Sequence, residues 1–160
     1  MKTITFILSL MTAVLGAHGQ AEPYDHAFNY SIKQKDTTAA LVHLCAKLSS
    51  VEPARSSTIA IMGTNNQIYE WLFKFGNKRS ELRTGAAYMK RVIELRPEQY
   101  SGDKHMRANF MDTYANLLYK LGKTKMALAW ETRALEEGAK DQQHEFSENL
   151  EKMKKGSKTW

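Results

Sequence analysis

Two six-residue segments carry the residues best placed to do chemistry. Trp71-Leu72-Phe73-Lys74-Phe75-Gly76 and Leu117-Leu118-Tyr119-Lys120-Leu121-Gly122 match class for class: two bulky apolars, an aromatic, a lysine, a bulky apolar and a glycine. In each, an aromatic and a lysine sit side by side, Phe73 with Lys74 and Tyr119 with Lys120, off the main apolar stripe. A lysine there can donate to a carboxylate or an acidic side chain. That is recognition chemistry; the alternative is a solvated polar face. Bond-breaking chemistry has no comparable signature. No G-x-S-x-G, H-E-x-x-H or phosphate-cradling glycine loop occurs. His26, His43, His105 and His144 are scattered. His43 and Cys45, two positions apart, point to different faces of a helix and cannot jointly hold a metal. The chain is therefore expected to have no catalytic residue, no cofactor and no metal. An enzyme of unknown class would need distant polar residues to converge.

The elements that position these segments read as helices. Asp36-Thr37-Thr38 offers side-chain oxygens to a first turn, and Leu41, Leu44, Cys45 and Leu48 follow on one helical face. Pro53 marks a restart. Gly63-Thr64-Asn65 is a place where the next run can break or kink. Ile68, Trp71, Leu72 and Phe75 form a stripe to Gly76, a glycine suited to a left-handed helix end. Ser80 is expected to cap the next helix, with Leu82, Ala86, Met89, Val92 and Ile93 inside until Pro97. Residues 97–104 read as a linker. Phe110, Met111, Tyr114, Leu117, Leu118 and Leu121 define another helix, closed by Gly122. Thr124 is expected to cap the next, with Met126, Ala127, Trp130, Ala134 and Leu135 on its inner face. A last helix from near Asp141 buries Phe146, Leu150 and Met153. About six helices and no strand are expected, so the fold class is all-α.

The start of the chain has the pattern of a secretory signal. Lys2 precedes an apolar run over residues 4–16, and Ala17-His18-Gly19 places small residues for a cut near Gly19/Gln20. The run, roughly 13 residues, is short of the ~20 needed to span a bilayer. The expected division is a signal peptide over 1–19, a loosely ordered leader over 20–35, a helical domain over 36–155 and a tail over 156–160. No membrane span is expected after cleavage. The protein would be secreted or periplasmic. The formal charge of +6 is spread among acids, as on a solvated helical surface. Lys152, Lys154, Lys155 and Lys158 form the one basic cluster, read as a frayed tail. A nucleic-acid role would need a basic face with interleaved aromatics and is not expected. Cys45 is the lone cysteine, so there is no internal disulfide, and its apolar context predicts a buried thiol.

The span 111–139 resembles a tetratricopeptide repeat, a helix pair of about 34 residues. Tyr114-Ala115 and Leu118 fall where the family's first helix packs, Gly122 at its turn, and Ala127 and Ala134 at its two alanine positions. Glu131 stands where the family prefers an aromatic, and no proline ends the unit. The span 66–97 resembles a divergent copy, with Gly85 and Val92 at the alanine positions and Pro97 at the end. The order of these pieces is also similar to the helical repeat region of secreted bacterial proteins sometimes joined to a thioredoxin-like domain. No Cys-x-x-Cys motif occurs, so redox activity does not carry over.

The resemblance implies a short array of helices in antiparallel pairs with a peptide groove. Asn116 falls where peptide-binding members place an asparagine, and an amide there can donate to and accept from a peptide backbone. Phe73 and Tyr119 fall near the concave side, with Lys74 and Lys120 beside them. The candidate groove is Asn116, Tyr119, Lys120, Phe73 and Lys74. The expected function is a non-catalytic module that binds a protein or peptide. The alternative is a structural element that self-associates through an apolar face left open by so short an array.

Overall fold

The computed structural model describes residues 21–95 and 104–160. The signal-sequence pattern, Pro97 and most of the expected linker lie outside the described residues. Within them the protein is all-α, with seven helices packed as adjacent antiparallel pairs and no strand. None of these helices is long and apolar enough to cross a membrane.

The first helix, α1 (Glu22–Lys33), occupies the span expected to be a loose leader. Pro23 in its first turn, acids at Glu22 and Asp25, and Lys33 in its last turn all suit a helix. One aromatic and a polar lock dock it, which is why no apolar periodicity announces it. Phe28 is buried edge-on to Trp71, with ring centroids 5.9 Å apart. Asp25 accepts from Lys47 at 2.6 Å and from Gln67 at 2.9 Å, and Lys47 also donates to Gln67 at 2.9 Å. α2 (Thr37–Ser50) starts as expected, with Asp36 accepting from the Ala39 N–H at 2.9 Å. Ala40, Leu41, Leu44 and Leu48 form its buried face. Cys45 on α2 is only half-buried, and burial still pushes its thiol up to about 11, so it is a neutral thiol at pH 7.

After a 3₁₀ turn (Pro53–Arg55), α3 (Thr58–Gln67) runs through Gly63-Thr64-Asn65 without breaking. The irregularity comes one turn later. Residues Ile68–Phe73 form a π-helical turn with i→i+5 geometry. Residues five apart then stack, so Ile68 brings Phe73 onto the core face. Phe73 is 1% exposed, while Phe75, expected on the stripe, is 50% exposed. Gly76 ends the segment without the left-handed conformation expected of it. Its role is close approach: a Cβ there would lie 2.5 Å from the Leu72 carbonyl oxygen.

α4 (Arg79–Ile93) begins one residue before Ser80. Its first turn is held by Glu81 accepting from the Lys78 N–H at 3.4 Å. All five expected core residues of α4 are buried. α5 (Lys104–Lys120) closes at Gly122, which has φ +79, with Lys123 N–H donating to the Leu118 carbonyl. α6 (Thr124–Glu137) begins at Thr124, which is inside the helix and is not its cap. Ala127 and Ala134 are fully buried on α6, whose main partner is α5, whereas Met126 is exposed. α7 (Gln143–Lys154) buries Phe146, Leu150 and Met153 as expected. Gly156, at φ +70, ends it and turns the tail back.

Candidate functional site

The paired aromatic–lysine segments do come together, but around a residue not expected there. The tail returns from Gly156 and lays Trp160 against both copies. The Trp160 ring is 6.1 Å from that of Phe73 and 6.2 Å from that of Tyr119, both edge-on. Lys120 reaches across from α5 to the end of the π turn. It donates to the Phe73 carbonyl at 2.5 Å and the Lys74 carbonyl at 3.5 Å. Its ammonium also lies 5.1 Å from the Trp160 ring centroid and 5.7 Å from that of Phe73, within cation–π range. Partial burial, then the nearby charge of Lys158, holds the Lys120 ammonium below its usual range. Lys158 itself sits 5.8 Å from the indole. Trp160 remains 41% exposed. The result is an indole seat rimmed by two ammonium groups.

Two members of the expected groove, Lys74 and Asn116, lie apart from this seat. Lys74 points outward, paired with Glu70 at 2.5 Å and 5.5 Å from the Tyr69 ring. Phe73 presents no open surface. Asn116 is 0% exposed and cannot meet a peptide backbone where it stands. Its Nδ2 donates to the Asp112 carbonyl at 3.0 Å and to Asp112 Oδ1 at 2.8 Å. The asparagine position of the resemblance is thus occupied by a residue doing internal work.

That internal work belongs to a buried acid cluster between α5, α6 and α7. Asp112 Oδ1 also accepts from Asn149 at 2.9 Å. Glu131, 0% exposed on α6, meets no donor at either oxygen, and its carboxyl faces that of Asp112. Two buried carboxyls in contact cannot both ionise. Burial raises both above the carboxylate range, Glu131 the more strongly, since the two amides favour a charged Asp112. Glu131 therefore keeps the proton and donates it to Asp112.

Beside Asp112 a cavity of about 400 Å³ opens between the π turn, α5 and α7, walled by Asn65, Tyr69, Asn109, Asp112, Glu145 and Phe146 among others. Tyr69 donates to Glu145 at 3.1 Å. Among the described residues no group of three or more His, Cys, Asp or Glu could hold a metal.

Sequence reasoning missed Trp160, Asp112 and Glu131 as members of these sites. Gly156 followed closely by a tryptophan was the available signal for the first. For Glu131 it was an acid on the same helical side as Ala127 and Ala134, and for Asp112 the sequence held no signal. No family model matches the chain, and neither a curated protein nor a solved structure does.

Proposed function

We propose that the protein is a non-catalytic binding module of tetratricopeptide-like type that works outside the cytoplasm. In this reading it engages a protein or peptide through the Trp160 seat. The observation that carries the reading is the packing of an exposed indole against Phe73 and Tyr119 under the Lys120 ammonium. A surface that accepts the chain's own indole has the shape and charge to accept an aromatic side chain flanked by carboxylates. The buried alanines of α6 and the Gly122 turn support the kinship with the repeat; the π turn and the buried Glu131 are departures from it.

The test is direct binding of fluorescent peptides that present tryptophan between glutamates. The expected result is saturable binding that strengthens in Trp160→Ala, which vacates the seat, and weakens in Tyr119→Ala. Absence of binding in both the natural chain and Trp160→Ala would remove the groove assignment. Export is checked separately, by the mass of the chain recovered outside the cytoplasm, which should begin at Gln20.

A structural, self-associating role is the second reading. Ile59 and Met62, one turn apart on α3, both present exposed apolar side chains. Light scattering that reports a monomer across a hundredfold concentration range would set it aside.

A further inference from the structure

The buried carboxyls of Asp112 and Glu131 sit where α7 is held to α5 and α6. Asn149 of α7 donates to Asp112 Oδ1 at 2.9 Å, beside the Asn116 amide of α5 at 2.8 Å. Both oxygens of Glu131 on α6 are buried and meet no amide, hydroxyl or cation. The group they face is the Asp112 carboxyl. Among the described residues no lysine, arginine or histidine forms an ion pair with either acid. The titratable groups around the pair add no positive charge. Glu145 of α7 acts on both acids, and Tyr69 of the π turn donates to Glu145 at 3.1 Å. Two charges cannot share this space, so the closed arrangement needs one proton between the acids.

α7 is the last helix of the described bundle, packed on α6 and α5. Its polar ties to other elements pass through amides and one hydroxyl: Gln142, just before it, to Asn109 at 3.0 Å, Asn149 to Asp112, and Tyr69 to Glu145. Lys152 with Glu148 and Lys154 with Glu151 are ion pairs inside α7 itself. We propose that α7 is a strap latched by the proton held between Asp112 and Glu131, and that it lifts from α5 and α6 when this proton is lost. On opening, the Glu131 proton passes to water and both carboxylates are hydrated. Exposed Glu131 binds a proton with the ordinary value of about 4.3, and burial raises that value in the closed form. Opening therefore releases one proton across the neutral range and becomes about tenfold easier per pH unit. Because α7 leads through Gly156 to Trp160, the same opening regulates the seat on Phe73 and Tyr119. That consequence rests on the peptide-binding reading; the latch does not.

The experiment is hydrogen exchange on the full natural chain between pH 6 and 8, read amide by amide and corrected for the intrinsic rise of exchange with pH. The amides of Asn149, Leu150 and Met153 are expected to be less protected than those of Leu44 and Leu48 on α2, with protection falling about tenfold per pH unit. In Glu131→Gln, which is neutral and keeps a donor for Asp112, α7 protection should not change with pH. Glu148→Gln, on the exposed face of α7, should keep the full slope. Protection of α7 that is independent of pH in the natural chain overturns the proposal. So does α7 protection equal to that of α2, which means that α7 leaves only with the whole fold, or a slope that survives in Glu131→Gln. Affinity for a tryptophan peptide should rise with pH in the natural chain and stay level in Trp160→Ala. Affinity that ignores pH while α7 opens would overturn the regulation of the seat. Exchange as expected without peptide binding in either chain would remove the peptide-binding reading and leave the latch standing.

Discussion

At the scale of single residues, Glu131 and Asp112 set how the protein responds to pH. The folded state holds a proton on Glu131 that the unfolded chain releases near the ordinary carboxylate value of about 4.3. A pKa raised by folding means the native state binds more protons than the unfolded state, so the pair's contribution falls as pH rises. The contribution is fullest below about pH 4 and declines across the neutral range towards the raised native value. Glu131→Gln keeps a donor to Asp112 and removes the titration. Relative to the natural chain, it should be more stable at pH 8 by about 2 kcal/mol, with the difference shrinking towards pH 5. Urea midpoints at the two pH values check this. Asn116→Ala should cost about 1–3 kcal/mol, because Asp112 loses a buried donor. Affinity for a tryptophan peptide should stay unchanged, since Asn116 has no exposed surface. A loss of affinity at unchanged stability would return Asn116 to the groove.

At the scale of elements, the π turn and the glycines packed on it decide which side chains reach the core. Leu72 is fully buried, with one methyl against Gly76 and the other against Gly85 of α4. A Cβ at Gly85 would collide with the Leu72 side chain and come within 3.3 Å of Leu117. Leu72 is fully buried in the core, so turning it aside must displace its packed neighbours. Alanine gains about 1 kcal/mol in helix propensity, but overpacking a closed core costs about 1–3 kcal/mol. Gly85→Ala should therefore be destabilising, by about 1 kcal/mol in thermal or urea unfolding, where an exposed helical glycine would give the opposite sign. The docking of α1 rests on the Lys47–Asp25–Gln67 lock. Lys47 is nearly buried, but Asp25 is 34% exposed and keeps its Gln67 donor, so removing Lys47 costs about 1–2 kcal/mol. Lys47→Ala should lower stability by about that amount and speed hydrogen exchange selectively along α1. Uniform exchange across the chain would show that α1 does not open on its own.

At the scale of the whole molecule, the described helices form a small bundle around one core. α1 pairs with α2 and α5 with α6; α4 packs on α5 and α2 and meets the π turn that follows α3, and α7 lies against α6. One contiguous core runs from Phe28 to Met153, and cations from one element satisfy helix-end carbonyls of another. Arg91 of α4 donates to the Leu48 carbonyl at the end of α2 at 2.9 Å, as Lys120 does at the end of the π turn. Such cross-ties couple neighbouring helices. Unfolding in urea should thus be a single transition, with tryptophan fluorescence from Trp71, Trp130 and Trp160 coincident with loss of helicity. A separate early fluorescence change that disappears in Trp160→Ala would mark the tail as an independent unit.

Periodicity made the helices after α1, their apolar faces and the all-α class legible, because the 3.6-residue repeat of Leu82, Ala86, Met89 and Val92 is a local property of the chain, whereas α1, docked by Phe28 and a polar lock, carries no such repeat. Gly122 was legible for the same reason, since a left-handed helix end is a local demand. The candidate site was legible only as a pairing of Phe73-Lys74 with Tyr119-Lys120. Tertiary structure decided the rest. It buried Phe73 through a π turn that no residue type announces, and it turned Asn116 inward to Asp112. It seated Trp160, 41 positions from Tyr119 in sequence, on both copies at once. Each of these outcomes depends on which distant group shares the same space, and the order of residues along one helix does not encode that.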